Sequence, residues 1–259
     1  MAQIELEEVG LSYFTPKQET EAIRQVNLSI RRGEFISIVG PSGCGKSTLL
    51  SLVSGMLKPT KGSVRIDGIE VSGPSPKVAY MLQHDHLFEW RDVLSNLLVG
   101  AEIRRMDRSA AKRKALELLE RYGLGDFARH GPSQLSGGMR QRVALIRTLV
   151  AEPDILLLDE PFSALDYQTR LKLADEVFRI IKEQGKTAVL VTHDLSEAIG
   201  MADRVMVMSK RPSTISAVHD IRFEEGENLS PWRKRESGQY NGYFNAIWKE
   251  LEAHGDSAL

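Results

Sequence analysis

The sequence predicts an α/β protein with a mainly parallel sheet, an antiparallel β edge subdomain and an inserted helical subdomain. Short β-rich runs alternate with helical patterns, and several runs are continuously apolar, as expected of strands covered on both faces. Turn residues at Asp67-Gly68 follow the early strands and favour an antiparallel subdomain there. No convincing strand lies within residues 84–147, so this stretch is predicted as the helical subdomain.

The predicted elements follow the chain in a regular order. The strands span residues 4–9, 26–30, 35–39, 63–67, 78–82, 155–159, 188–192 and 204–208. Two clear helical patterns, residues 109–122 and 165–184, each end at a glycine, which is a usual stop signal. In the second helix, apolar residues at helical spacing form one stripe: Leu171, Ala174, Val177, Phe178 and Ile181. Such a stripe predicts a helix that covers the sheet.

The regular pattern weakens after Arg211. We therefore expect one domain over residues 1–210, with the helical subdomain at about 84–147, and a C-terminal extension over residues 211–259. The extension ends in an amphipathic segment with Phe244, Ile247, Trp248 and Leu251 on one helical face. Docking on the chain's own core is the expected role of this helix, and a dimer or regulatory contact is the alternative.

Composition narrows the class of protein. The formal net charge of -1 gives no global basic field, so nucleic acid is not an expected partner. No apolar run approaches the roughly 20 residues of a membrane-spanning helix, and the acidic, alternating start is unlike a signal peptide. A membrane contact is therefore expected only through partners. The one cysteine, Cys44, excludes an intrachain disulfide and favours a reducing compartment.

A glycine-rich loop follows the predicted strand at residues 35–39 and precedes a helical run. It fits the phosphate-loop pattern G-x-x-x-x-G-K-[ST] and consists of Gly40, Pro41, Ser42, Gly43, Cys44, Gly45, Lys46, Ser47 and Thr48. Glycines let backbone N–H groups turn inward around phosphates, and the next helix presents its positive end. We expect Lys46 to reach the β- and γ-phosphates of a nucleotide and Ser47 to bind Mg²⁺. The alternative is a flexible Gly/Ser loop.

A buried strand ends in two carboxylates. The apolar residues 155–158 lead directly to Asp159 and Glu160. In a nucleotide-hydrolysing enzyme Asp159 would hold Mg²⁺ and Glu160 would polarise the attacking water. Without the phosphate loop, the pair would equally well cap the next helix.

The segment Leu135-Ser-Gly-Gly-Met-Arg-Gln-Arg142 resembles the signature motif of ABC ATPases, and it lies just upstream of the Asp159/Glu160 strand, as in that family. A Ser-Gly-Gly turn at a helix N-terminus can bind an anion, although a simple helix cap would look similar. The resemblance implies an ATP-dependent homodimer, in which Ser136 and Gly138 of one chain close over the γ-phosphate held by the other. Met139 replaces the usual Gln and lacks its amide, while the backbone and Ser136 contacts are expected to survive.

Four further residues fall in family order. By resemblance, Gln83 senses Mg²⁺ and the γ-phosphate, and His193 contacts the γ-phosphate. Asp166 belongs to a loop at residues 163–166 that resembles the one linking the two sites of the dimer, and Tyr13 resembles the aromatic that stacks on adenine. The alternatives are a solvated Gln83, a structural His193, a helix cap at Asp166 and a packing role for Tyr13.

The resemblance covers roughly residues 1–210 and extends to function. The stretch at residues 84–91, with Phe88 and Trp90, corresponds to the region that binds the membrane subunit in the family; packing of the helical subdomain is the alternative.

A lone ATPase domain resembles importer subunits, and the details look most like ATPases of nitrate, sulfonate and taurine importers. The resemblance implies transmembrane permease subunits as partners, a solute-binding protein indirectly, and a peripheral position on the cytoplasmic face of the membrane. The alternative is a non-import assembly, such as a cluster-assembly or mechanotransmission scaffold.

Overall fold

Residues 2–16, 18–226 and 229–254 are described by the structure, a computed structural model. The strands are β1 (Ala2–Thr15), β2 (Gln18–Arg31), β3 (Phe35–Val39), β4 (Lys61–Ile66), β5 (Ile69–Glu70), β6 (Val78–Met81), β7 (Ile155–Asp159), β8 (Thr187–Val191), β9 (Arg204–Met208) and β10 (Ile215–Asp220). The helices are α1 (Lys46–Val53), α2 (Val93–Ile103), α3 (Arg108–Arg121), α4 (Gly137–Val150), α5 (Tyr167–Glu183), α6 (Leu195–Met201), α7 (Pro231–Glu236) and α8 (Tyr240–His254). Two short 3₁₀ turns precede α4, at Gly125–Phe127 and Pro132–Gln134.

The chain divides into two units. The first unit comprises Met1–Ser75 and Ala174–Leu259, and the second comprises Pro76–Leu173. The later boundary therefore falls inside α5. This division is broader than the predicted helical subdomain, because the second unit also contains β6 and β7.

An antiparallel sheet in the first unit has the strand order β2-β1-β4-β5. It is the edge subdomain that the sequence predicts, although β1 and β2 are longer than expected and are interrupted by register shifts. Parallel strands of the same unit pair β8 with β3 and β3 with β9. All five residues of β3 and all five of β8 are buried, which explains their continuous apolar sequences. The predicted α/β fold is thus observed.

The segment after Arg211 contributes a strand that the sequence analysis did not predict. β10 pairs antiparallel with β9, and its residues alternate between half-buried and exposed. A strand with so little burial carries a weak hydrophobic signal. α8 contacts α6, β9 and β10, and Ile247 is fully buried, so the terminal helix docks on the core as expected. Trp248 of the same helix, in contrast, stays half-exposed.

In the second unit β6 and β7 form a parallel pair. Three helices, α2, α3 and α4, pack against one another. Residues 84–147 are all described, and none of them belongs to a strand. Asp92 starts α2 by accepting a hydrogen bond from the Ser95 backbone N–H at 2.7 Å. Across the described residues of both units, every helix is too short or too polar to cross a membrane.

Candidate functional site

The predicted phosphate loop connects β3 to α1 in the first unit. Gly45, the residue before α1, has a φ of 118°, which favours glycine over any residue with a side chain. Gly40 passes close to the end of β9, because a Cβ at Gly40 would lie 2.9 Å from the Met208 carbonyl oxygen. Two glycines of the motif are therefore required by the backbone itself.

Lys46 lies at the start of α1 with its ammonium over the loop. Its Nζ donates to the carbonyl oxygens of Gly40 at 2.8 Å and Pro41 at 3.0 Å, and it lies 3.9 Å from the Cys44 sulfur. The first N–H groups of a helix have no partner within that helix, and the helix dipole adds a partial positive charge. A lysine ammonium combined with this helix end is an arrangement that binds phosphate.

Tyr13, on β1, stands beside the loop. Its hydroxyl lies 3.2 Å from the Thr48 Oγ1, and its side chain is 42% exposed. This exposure argues against a core-packing role. Stacking on adenine stays a prediction.

The C-terminal extension supports the phosphate loop from outside. Arg211 donates from Nη2 to the Gly43 carbonyl oxygen at 2.7 Å, and the Ser213 hydroxyl donates to the Cys44 carbonyl oxygen. Ser213 also donates its backbone N–H to the Ala22 carbonyl oxygen at 3.0 Å. The sequence analysis missed these contacts, because nothing local marks a serine in a weakly patterned segment as a loop support.

His193 follows β8 in the first unit, in a turn fixed by its neighbours. Thr192 donates from Oγ1 to Glu197 Oε2 at 2.6 Å, and Asp194 caps α6 by accepting from the Ser196 N–H at 2.7 Å. His193 itself is exposed between them. Hydrogen bonds on both sides of His193 therefore fix the turn that carries this predicted γ-phosphate contact.

The predicted catalytic carboxylates follow each other at the end of β7 in the second unit. Asp159 is buried at 3% exposure, and its Oδ2 accepts a hydrogen bond from the Tyr80 hydroxyl at 3.3 Å. Glu160 adopts a left-handed φ of 49°, a conformation that costs free energy for a non-glycine residue and often marks a functional position. Gln83 Nε2 donates to Glu160 Oε2 at 3.4 Å. The structure thus brings together two residues that are 77 positions apart.

Gln141, on α4, is a positioning residue that the sequence analysis did not single out. Its Nε2 donates to the Glu160 carbonyl oxygen at 3.0 Å and to the Ser163 Oγ at 3.2 Å, and its Oε1 accepts from the Ala164 N–H at 2.9 Å. Gln141 is 5% exposed. A glutamine on the same helical stripe as Leu145 was the available signal, because a buried amide needs partners.

The signature-like segment forms the start of α4. Ser136 is the N-cap residue, and its Oγ accepts from the Met139 backbone N–H at 3.3 Å. Ser136 is exposed and Gly138 lies in the first turn of the helix, so this helix end can reach an anion. Met139 contributes its backbone here, which the change from Gln does not affect.

Asp166 acts as a helix cap in this structure, which is one of the two alternatives left by the sequence. Its Oδ1 accepts from the Thr169 N–H at 3.0 Å at the start of α5. Hydrogen bonds from the Thr169 side chain and backbone hold the pKa of Asp166 below its usual range. The cap does not exclude a contact across a dimer, because the residue is exposed.

An aromatic pair marks the stretch at residues 84–91. Trp90 is 79% exposed, and its ring centroid lies 4.9 Å from that of Phe88. Arg140 anchors the stretch to α4 through ion pairs with Asp85 at 2.9 Å and Glu89 at 2.9 Å. Burial raises the pKa of Asp85, but the hydrogen bonds from Arg140 and the Leu87 N–H outweigh it and leave the pKa lowered. Exposure of Trp90 argues against an internal packing role.

The residues predicted to bind Mg²⁺ each offer a donor atom that suits this ion. Asp159 offers a carboxylate, Ser47 a hydroxyl and Gln83 an amide oxygen, and all three are the hard oxygen donors that Mg²⁺ prefers. Among the residues that the structure describes, no group of three or more His, Cys, Asp or Glu side chains could hold a metal ion.

Comparisons with known proteins agree with these features. Residues 23–163 match the family model described as ABC transporter. The chain is 45% identical over 253 residues to the uncharacterized ABC transporter ATP-binding protein YtlC of Bacillus subtilis, covering 98% of this chain and 97% of that protein. It is 40% identical over 224 residues to the taurine import ATP-binding protein TauB of Pelagibacter ubique, covering 86% and 84%.

A solved structure shares the fold. It is the dimeric, post-hydrolysis ATP-binding cassette MJ0796 bound to ADP and Pi, with a TM-score of 0.78, 34% sequence identity, and coverage of 85% of this chain and 99% of that one. This likeness confirms the predicted α/β class with a phosphate-loop core.

Proposed function

The chain belongs to the ABC transporter family, and on this premise we propose that it is the ATP-hydrolysing subunit that energises solute import through a separate membrane permease. The observation that carries the proposal is the phosphate loop, whose Lys46 ammonium and α1 N-terminus form a phosphate-binding arrangement. ATP is the expected nucleotide, because the relatives are ATP-binding proteins.

The residues around the nucleotide phosphates have separate proposed roles. Lys46 binds the β- and γ-phosphates, and Ser47 and Asp159 hold Mg²⁺, which would neutralise the developing charge during phosphoryl transfer. Glu160 polarises the attacking water, with Gln83 and His193 as further contacts of the γ-phosphate region. Support comes from the hydrogen bond between Gln83 and Glu160 and from the two hydrogen bonds that Gln141 makes to residues 160 and 164.

We propose that two copies of the chain dimerise on ATP, with Ser136 and Gly138 of each copy closing on the nucleotide of the other. The dimeric cassette of similar fold supports this proposal. The exposed N-terminus of α4 supports it as well, because an anion-binding helix end on the surface is available to a second molecule.

We propose that the aromatic pair Phe88 and Trp90 contacts the membrane permease. A large exposed tryptophan commonly anchors a protein interface, and Arg140 holds the surrounding stretch in place. Through this contact the chain would be held on the cytoplasmic face of the membrane as a peripheral subunit. The solute-binding protein of such an importer would act on this chain only indirectly.

For the solute, we propose a small anion or zwitterion of the nitrate, sulfonate and taurine class. The relative named as a taurine importer subunit supports this class. The non-import scaffold alternative has no observation in its favour, whereas the exposed aromatic pair suits a membrane partner.

The test has two stages. The purified chain should hydrolyse ATP, and a strain lacking its gene should lose uptake of labelled taurine, an alkanesulfonate or nitrate. Complementation with the parental gene should restore that uptake, and complementation with Glu160→Gln should not. If the purified chain hydrolyses ATP but the deletion strain takes up all three solutes normally, the ATPase assignment stands and the proposed solute class is wrong.

A further inference from the structure

A cavity of about 630 Å³ lies in the first unit, and none of the phosphate-loop residues lines it. Its walls are the turn between β2 and β3, the end of α5, Asp203 just before β9, residues 220–223 and Gly226 at and after the end of β10, and Lys234 of α7. The volume lies within the roughly 300–1,000 Å³ of small-molecule sites. The core and the C-terminal extension thus build the cavity together.

Positive charge exceeds negative charge in the walls, with five cationic side chains against three acidic ones. Two of the three acids are already neutralised. Glu34 accepts from Arg204 Nε at 2.5 Å, and Asp203 accepts from Lys182 Nζ at 2.6 Å and from the Phe35 N–H at 2.8 Å. The third acid, Asp220, is exposed and lies 3.7 Å from Arg222. Ion pairs also occupy wall cations, Lys182 on Asp203 and Arg32 on Asp67, so the surplus positive charge of the walls rests on Lys234, Arg31 and Arg222.

Lys234, on α7, is the buried cation of the cavity. It is 2% exposed, and its Nζ donates to the Ala202 carbonyl oxygen at 3.2 Å. The ammonium also lies 5.0 Å from the Phe178 ring centroid and 5.9 Å from that of Phe223. Within the described parts of the chain it has no carboxylate at ion-pair distance. A buried ammonium with one hydrogen bond is costly, and an anion beside it would offset that cost.

We propose that this cavity binds a small organic dianion, such as a phosphomonoester or a dicarboxylate, between Lys234 and Arg222 of the extension and Arg31 of the core turn. The guanidinium groups of Arg31 and Arg222 are exposed. Their nearest carboxylates are at the outer range of an ion pair, Glu34 at 3.5 Å and Asp220 at 3.7 Å, so both groups can still bind acidic oxygens of a ligand. Ile221 and Phe223 are buried apolar wall residues that suit the carbon skeleton of the ligand. A bound dianion fastens the C-terminal extension to the turn between β2 and β3.

The site is independent of the proposed import function, and its test uses binding rather than hydrolysis. The full chain carrying Lys46→Ala, which removes phosphate binding at the nucleotide loop, is titrated calorimetrically with glycerol 3-phosphate and with succinate. At least one of these probes should bind. Adding Lys234→Met should weaken that binding by at least about tenfold, as expected when one partner of a buried charged pair is removed. Arg222→Gln should weaken it too, and it leaves the buried wall intact.

The matched control is Lys249→Met, which removes an exposed lysine of α8 outside the cavity and should leave the affinity unchanged. Hydrogen exchange supplies the second readout, because a bound probe should slow exchange in residues 221–226 and in α7. Failure of both probes to bind overturns the proposal. Equal affinity in Lys234→Met, or an equal loss in Lys249→Met, overturns it as well.

Discussion

The side-chain amide of Gln141 donates to the backbone carbonyl oxygen of Glu160 at 3.0 Å. This hydrogen bond joins the helix that begins with the signature-like Ser-Gly-Gly turn to the residue proposed as the catalytic base. Glu160 has a left-handed backbone conformation, and Gln141 is one of the groups that hold it there. The orientation of the proposed base therefore depends on a residue that is buried in α4.

Gln141→Met tests this dependence, because methionine keeps the length of the side chain and lacks the amide. The Glu160 carbonyl oxygen would lose one donor and keep the two from Ser163, so the loss is worth about 0.5–1.5 kcal/mol. We expect kcat to fall by up to about tenfold, as ~1.4 kcal/mol corresponds to a factor of 10, while the affinity for ATP stays the same. Steady-state kinetics and nucleotide titrations measure both. Gln168→Met, at an exposed position of α5, is the control; a fall in ATP affinity instead of kcat would contradict the positioning role.

Lys46→Ala should abolish hydrolysis and greatly weaken ATP binding, because the ammonium that faces the loop carbonyls is the mobile positive charge of the phosphate loop. Binding of a fluorescent ATP analogue and phosphate release are the measurements. Lys58→Ala, which removes an exposed lysine outside the loop, should behave as the parental chain. Undiminished hydrolysis by a pure Lys46→Ala preparation would refute the assignment.

Glu160→Gln should slow hydrolysis by a factor on the order of 10²–10⁴, as for the loss of a general base. Binding of ATP and Mg²⁺ should persist, because Lys46, Ser47 and Asp159 are unchanged. Trapped ATP should then hold two chains together, so size-exclusion chromatography should show a dimer with ATP and mainly monomer with ADP.

Adding Ser136→Arg to this variant should remove the dimer by blocking the helix end that meets the partner's nucleotide. An inactive Glu160→Gln variant that stays monomeric with ATP would leave the base assignment intact and contradict the proposed dimer.

Trp90→Ala should reduce assembly with the permease and leave ATP binding and the unfolding temperature unchanged, because the side chain is 79% exposed. Co-purification of the chain with its permease from native membranes, together with thermal unfolding, measures both effects. The matched control is Trp248→Ala, since this tryptophan is 50% exposed on α8 and lies outside the proposed contact. Normal assembly of Trp90→Ala would rule out the aromatic pair as the anchor.

Lys234 makes the stability of the chain depend on pH. Burial is the main cause that lowers its pKa from 10.5 to about 8; Lys182 lowers it further, and Asp203 partly opposes the shift. Below pH 8 the folded chain must bury the charged ammonium of Lys234. For a pKa shift of this size, this burial costs on the order of 3 kcal/mol of folding free energy. Between pH 8 and 10.5 the unfolded chain binds more protons than the folded one at this position, so this residue's contribution to stability rises with pH.

Lys234→Met should therefore raise the unfolding temperature at pH 7 and remove this rise between pH 8 and pH 10. Thermal unfolding across that range, with Lys249→Met as control, is the measurement. A pH profile that is the same in Lys234→Met and the parental chain would show that this lysine is not the titrating group.

Most of the site residues that could be predicted from the sequence lie in contiguous motifs. The phosphate loop and the strand before Asp159 each lie in one short stretch, so local spacing was enough. The Gln141–Glu160 and Arg211–Gly43 contacts join residues that are 19 and 168 positions apart, and no local pattern encodes them. Lys234 was equally hidden, because lysine is almost never fully buried and its sequence neighbours are polar.

The hydrogen bonds from Arg211 and Ser213 to the phosphate loop limit how far the chain can be truncated from its C-terminus. A fragment ending at residue 210 would keep the nucleotide motifs but leave the Gly43 and Cys44 carbonyl oxygens without these donors and β9 without its β10 neighbour. A truncation that removes residues 211–220 should therefore lose nucleotide affinity, and any shortened chain for tethering to another protein needs these residues as well as the motifs.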